Sequence, residues 1–128
     1  MATVVHLDTH VVVWLYAGLL EKIPGRIQAL IDRSQLAISP MVVLELEYLH
    51  EIGRLKVGAA VVADDLRQRI GLTVATTGFP HVVAAARQQT WTRDPFDRVI
   101  AGQAEVEHAA LITADQIMRQ HVANAEWE

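Results

Sequence analysis

Four short aliphatic runs, Thr3 to Leu7 (TVVHL), Gln35 to Ser39 (QLAIS), Leu72 to Thr76 (LTVAT) and Ala109 to Thr113 (AALIT), recur between longer stretches of helical periodicity. No other feature narrows the fold as much. Apolar runs without polar alternation read as strands buried on both faces, and strands separated by helix-length segments join in parallel through right-handed crossovers. The expected architecture is α/β: a three-layer α/β/α sandwich around a mainly parallel sheet of four strands, or five if the tail AEWE adds an edge strand. Right-handed crossovers would bring all the strand C-terminal ends to one edge, where parallel sheets bind ligands.

The segments between the strands carry their own punctuation. THVVVWLYAGLL, after Asp8, is long enough for one helix; Pro24 opens a second pattern through Ile27, Leu30 and Ile31; Pro40 starts a third, MVVLELEYLHEI, which Gly53 ends. In this third helix Val42, Leu46, Leu49 and Ile52 share a face. At about 100° per residue Glu45 falls between Leu49 and Ile52 on it, while Glu47 and Glu51 are expected on the wet side. A carboxylate on a buried stripe is costly without a cation or donors, so Glu45 is expected to have a partner. Gly58 to Ile70 forms the next helix, with Val62, Leu66 and Ile70 inward and Asp64, Asp65, Arg67 and Arg69 in solvent. Pro80 begins a helix through Val83, Ala84 and Arg87.

The stretch RDPFDRVIAGQA, Arg93 to Ala104, reads as a helix N-terminus carrying an aimed acid. Asp94 suits the N-cap and Pro95 the first helical position, which makes Asp97 the third helical residue. Phe96, Val99, Ile100 and Ala104 form its buried stripe. Ala101 and Gly102 leave the flank thin, so this helix is expected close to the sheet with Asp97 over its edge. Asp8 ends the first strand and Asp115 follows the fourth; for each the alternative role is capping the next helix, Gln116 to Val122 in the second case.

Charge and composition remove several function classes. With 11 basic and 15 acidic residues the net charge is -4, which argues against a globally basic nucleic-acid binder. A local rim drawn from Arg26, Arg54, Lys56, Arg67, Arg93 and Arg98 remains compatible with it. The absence of cysteine removes disulfides, thiolate nucleophiles and cysteine zinc sites. No signal-peptide pattern opens the chain and no apolar run is long and unbroken enough to span a bilayer, so a soluble cytoplasmic protein with no membrane association is expected. At 128 residues and 52% hydrophobic content the chain is expected to form a single domain over residues 1–128.

Two strand-end acids, Asp8 and Asp115, one helix-start acid, Asp97, and one stripe-facing acid, Glu45, are thus expected to converge on one edge of the sheet. Two such carboxylates about 4 Å apart repel by about 4 kcal/mol at an effective dielectric near 20, so the cluster needs a cation. Oxygen-only ligands select Mg²⁺ or Mn²⁺, and a hard cation with waters left on it serves phosphate chemistry. A histidine-rich metal site on a strand extended through His6, Asp8 and His10 is the weaker alternative, because Thr9 onward reads as helix. A Mg²⁺-dependent phosphatase of small phosphoesters would also use strand-end aspartates. Against it, no second aspartate stands two residues after Asp8, and Lys22 and Lys56, the only lysines, do not follow a later strand.

LDTHVVVW with Asp8, SPMVVLELEYL with Glu45, RDPFDRVIAGQA with Asp97 and LITAD with Asp115, in that order, resemble the PIN-domain nucleases, specifically VapC-type toxins of toxin–antitoxin pairs. The resemblance covers nearly the whole chain. It implies a PIN-like fold and a Mg²⁺- or Mn²⁺-dependent endoribonuclease in which Asp8, Glu45, Asp97 and Asp115 bind metal and water attacks the phosphodiester. Thr9 and Thr113 match hydroxyls that orient water or a ligand carboxylate in that family. Asp94 belongs to the same block and is read as a supporting, capping residue. The implied partners are an RNA substrate, a cognate antitoxin that places a basic side chain in the acidic pocket, and a second copy of the chain. A homodimer also suits the apolar content, with Val61, Val62 and Leu66 as faces beyond what one core covers. The remaining alternative is a catalytically silent PIN-fold interaction module. One departure is visible: Trp91 and Thr92 stand where many relatives carry histidines, and Trp91 is expected to pack in the core or at the rim.

Overall fold

The computed structural model describes residues 3–128; Met1 and Ala2, part of the N-terminal stretch read above, lie outside them. In chain order the elements are β1 (Val4–Leu7), α1 (Thr9–Ala17), a 3-10 turn (Leu20–Lys22), α2 (Gly25–Asp32), β2 (Gln35–Ile38) and α3 (Pro40–Glu51). There follow α4 (Ala59–Ile70), β3 (Thr73–Val74), α5 (Phe79–Ala86), α6 (Pro95–Val106), β4 (Ala110–Ile112), α7 (Gln116–His121) and β5 (Ala125–Glu126). The strands form one sheet in the order β3-β2-β1-β4-β5, parallel throughout. The tail does add the edge strand.

β1 is the centre of this sheet. Val5 stands opposite Leu36 of β2 and Ala110 of β4, and Val5, His6 and Leu7 are all buried, so helices cover both faces. Leu7, Ile38, Leu111 and Ile112 pack with Val11, Val12, Ile27, Val42, Leu46, Val62, Leu66, Ile100 and Met118 into one apolar cluster. The strand order reverses between β1 and β4, which makes the C-terminal ends of these two strands the natural crevice of the sheet. There the backbone N–H of Asp8 donates to the Ile112 carbonyl at 3.0 Å, locking the two strand ends together.

Several expectations need correction. α1 stops at Ala17 because Gly18 adopts the left-handed region, φ 73°, and returns its N–H to the helix end; the next residues form the separate 3-10 turn. β3 is only two residues, both exposed, because just Ala37 and Ile38 of β2 pair with it. Ile52 and Ile70 are not inward: they lie at or beyond the ends of α3 and α4, 48% and 38% exposed, where the helices no longer cover one another. Glu47 is not in free solvent, since it accepts the Ala59 N–H at 2.9 Å and caps α4 in place of Gly58, which has no side chain to do so. Of Val61, Val62 and Leu66 on α4, Val62 and Leu66 are core and Val61 is exposed.

The thin flank of α6 serves helix packing and not an approach to the sheet. A Cβ on Gly102 would sit 2.8 Å from the Ala86 backbone N, so α5 crosses α6 at that glycine. α3 packs on both α4 and α6, which places it over the same end of the sheet as the start of α6.

Candidate active site

Each acid is delivered by a local device. Asp8 follows β1 and is the N-cap of α1: its Oδ1 accepts the Thr9 N–H at 2.8 Å and its Oδ2 accepts the Thr113 hydroxyl at 2.7 Å. Both oxygens are therefore held, and Asp8, Thr9 and Thr113 are all buried. Thr113, just past β4, also takes the Asp115 N–H at 3.1 Å, so one hydroxyl orients two of the acids. The Thr9 hydroxyl donates to Glu45 Oε1, tying the third acid to the start of α1. This is the partner that a carboxylate on the buried stripe of α3 required.

Asp97 sits in the first turn of α6, whose N-terminus is built as the sequence predicts. Pro95 takes the first helical position, and Asp94 Oδ1 accepts the N–H groups of Phe96 at 2.8 Å and Asp97 at 3.4 Å. Asp115 caps α7, accepting the Met118 N–H at 2.9 Å. The capping role weighed for Asp115 is thus occupied, with one oxygen engaged and the residue exposed.

The electrostatics show that these groups share one space. Asp97 is pushed up to about 7, first by burial and then by the charges of Asp94, Asp8, Asp115 and Glu45. Glu45 is also raised, by burial above all and by Asp8 and Asp94, with the Thr9 hydroxyl opposing. Burial likewise raises Asp8, against the bonds from Thr113 and Thr9. Among the described residues none of these acids has an ion-pair partner; the ion pairs join His6–Glu107, Arg26–Glu126, Arg67–Asp64, Arg69–Asp65 and Arg119–Glu128.

Like charges gathered without a cation do not close on one another. Among the described residues no three acidic or histidine side chains stand near enough to enclose one ion. Mutual repulsion and the capping of Asp94 and Asp115 toward backbone N–H groups account for the open arrangement. The donor set still suits a hard divalent cation: it is all oxygen, partly dry and without an ion-pair partner among the described residues.

The histidine-rich alternative fails. His6 is buried and hydrogen-bonds Glu107 at 2.8 Å, while His10 lies exposed on α1. His10 nonetheless lies near enough to Asp8 and Glu45 to oppose, in small part, the rise of both carboxyls. Trp91 packs as expected, half-buried, with Nε1 on Gln89 at 2.8 Å and its ring stacked on His121. Of the basic rim, Arg26 and Arg67 are taken by Glu126 and Asp64, whereas Arg93 and Arg98 hold the loop before α6 through the Thr90 and Thr92 carbonyls. Sequence reasoning missed Glu107 and Gln103, which join His6 and Ser39 in a hydrogen-bonded network. Gln103 within an otherwise apolar helix stripe was the available signal.

Comparison with known proteins identifies the fold and the family. A family model described as the PIN domain matches residues 5–123. Ribonuclease VapC22 of Mycobacterium tuberculosis is 32% identical over 123 residues, covering 93% of this chain and 92% of that protein. Among solved structures, VapBC2 from Rickettsia felis bound to a promoter DNA fragment superposes with a TM-score of 0.70 at 20% identity, covering 98% of this chain and 100% of the other. DNA-bound VapBC from Salmonella typhimurium gives 0.61 at 20% identity, covering 100% and 98%. At these identities the structural likeness speaks for the fold alone. The sequence match over nearly the whole chain carries the rest, and the chain belongs to the PIN-domain family, in its VapC-type branch.

Proposed function

We propose that this chain is a metal-dependent endoribonuclease, the toxin of a toxin–antitoxin pair, acting as one domain over residues 1–128 in the cytoplasm. The observation that carries the reading is a set of carboxylates at the C-terminal edge of the sheet, tied to one another through Thr9 and Thr113 and without an ion-pair partner among the described residues. Asp8, Glu45, Asp97 and Asp115 would hold Mg²⁺ or Mn²⁺. Bound there, the ion supplies the positive charge that polarises water and offsets charge developing on the phosphate.

The chain's own groups do the arranging. Thr113 and the Thr9 N–H keep Asp8 in one rotamer, and the Thr9 hydroxyl keeps Glu45 turned toward it. Asp94 fixes the first turn of α6 and adds negative charge beside Asp97. Near neutral pH Asp97, raised to about 7, is only partly ionised, and it would give up its remaining proton when positive charge arrives. Arg93 and Arg98, at the entry of α6, would be candidates to meet backbone phosphates of an RNA strand.

Two partners complete the reading. A cognate antitoxin would place a basic side chain among the acids, supplying the charge otherwise brought by metal. A second copy would cover the exposed stripe Leu44, Tyr48 and Ile52 of α3, which replaces the α4 face as the apolar surface in excess of the core.

The test is cleavage of single-stranded RNA by purified protein with Mg²⁺, Mn²⁺ or excess chelator. Metal-dependent cleavage, lost in Asp97→Asn, is expected. Cleavage that persists in chelator or in Asp97→Asn would overturn the metal mechanism.

A further inference from the structure

A second network of polar groups ties the elements that carry the acids, and the nuclease reading makes no use of it. Glu107, the residue that ends α6, takes three donors: His6 Nε2 at 2.8 Å, Gln103 Nε2 at 2.7 Å and Thr77 Oγ1 at 2.8 Å. The Gln103 Oε1 in turn accepts the Ser39 hydroxyl at 3.3 Å. Burial alone would raise the Glu107 carboxyl, yet the Gln103, His6 and Thr77 bonds outweigh it and hold the group below its usual range. With the carboxylate ionised, His6 must present its Nε2–H, which fixes its tautomer. His6 and Gln103 are each 2% exposed and Ser39 1%, so water reaches this network only from the side of Glu107 and Thr77.

The members of this relay are distributed in a telling way. His6 is on β1, which ends in Asp8. Ser39 is the N-cap of α3, which carries Glu45, and its oxygen already accepts the Met41 N–H at 3.1 Å. Gln103 and Glu107 belong to α6, which carries Asp97. The three elements that the relay joins are those that bring the acids together, and they are also the elements that like-charge repulsion pushes apart. Apolar packing resists separation only loosely along a helix axis, whereas an amide bonded at both ends has one geometry.

We propose that Gln103 is a positioning residue: its amide ties the start of α3 to α6 and, through Glu107, to β1, and this tie sets the spacing of Glu45, Asp97 and Asp8. The inference rests on the nuclease reading for its purpose, though not for its test. Gln103→Met keeps the length and apolar bulk of the side chain and removes both bonds. In the metal-free protein, the backbone and carboxyl resonances of Asp8, Glu45 and Asp97 should move in Gln103→Met. With metal, calorimetry should show Mn²⁺ affinity weakened by about tenfold, and RNA cleavage should lose about tenfold in kcat with KM little changed, the usual size for a group that orients ligands.

Thr77→Val removes one outer donor to Glu107 from a loop and leaves Gln103 in place; it should shift the same resonances by less. Unmoved resonances at the three acids in Gln103→Met, or in Thr77→Val should the first variant not fold, would overturn the proposal. So would a lower melting temperature with Mn²⁺ affinity and kcat at wild-type values, since that is what a merely structural role predicts. If the wild-type protein neither binds Mn²⁺ nor cuts RNA, the nuclease reading fails, and the metal-free resonances still decide whether Gln103 positions the acids.

Discussion

Asp97 shows most directly how a fold can hold a group in an unfavourable state. Its carboxyl titrates near 7 in the folded chain against an ordinary 3.8. The folded state therefore keeps the proton where the unfolded state has lost it, and folding stability falls as pH rises from 3.8 toward 7. Above that range the penalty is complete. Asp97→Asn removes it: without metal, the variant should match wild type near about pH 4 and exceed it by about 1 kcal/mol near pH 8, a figure discounted because the residue is only half-buried. Thermal melts across that range check this, and a constant difference between the two proteins would contradict it. Glu45 and Glu47 provide a second contrast. Glu45→Gln should lower RNA cleavage by at least about tenfold and weaken Mn²⁺ binding, through loss of one charged ligand. Glu47→Ala should leave cleavage unchanged and cost about 1 kcal/mol, as expected for a lost cap at the start of α4. Equal activity in the two variants would remove Glu45 from the site.

The elements were legible where their signals are local. Asp94 and Pro95 announce the start of α6 because a cap and a fixed φ act within one turn, and the glycine at position 53 ends α3 for the same reason. What escaped depends on distant neighbours. The Glu47 side chain finds its N–H twelve positions later along the chain, and His6 meets Glu107 across the core, so neither periodicity nor spacing could indicate them. β3 likewise pairs over only Ala37 and Ile38 of β2, less than the β-branched run LTVAT suggests. Helix contact at Gly102 was misassigned because a missing side chain marks a close approach without naming what approaches. Its consequence is testable: Gly102→Ala puts a methyl 2.8 Å from the Ala86 N and must push α5 away from α6. We expect about 1–3 kcal/mol of destabilisation, as for an overpacked core, visible as a lower melting temperature. A variant as stable as wild type would mean that the two helices separate at no cost.

At the scale of the whole molecule, the parallel sheet does the organising. Its strand order reverses at β1 and β4, and Asp8 and Thr113 emerge on either side of that reversal. The alternation of strands and helices was therefore enough to predict that Asp8 and Asp115 would share an edge, and the stripe of α3 brought Glu45 there. The sequence could not show how open the cluster is, because that balance is struck between repulsion and the capping bonds of Asp94 and Asp115. The central claim is that these carboxylates form a cation site with Asp97 as its proton-bearing member. Mn²⁺ titration calorimetry at several pH values tests it most directly. Affinity should rise roughly tenfold per pH unit up to about 7 and level off above, as the cation ceases to compete with the Asp97 proton. The part of the pH dependence that belongs to Asp97 should disappear in Asp97→Asn, leaving that of Asp8 and Glu45, which are also raised, and the variant's affinity should be low throughout. Binding that is independent of pH, or as tight in Asp97→Asn as in wild type, would contradict the account.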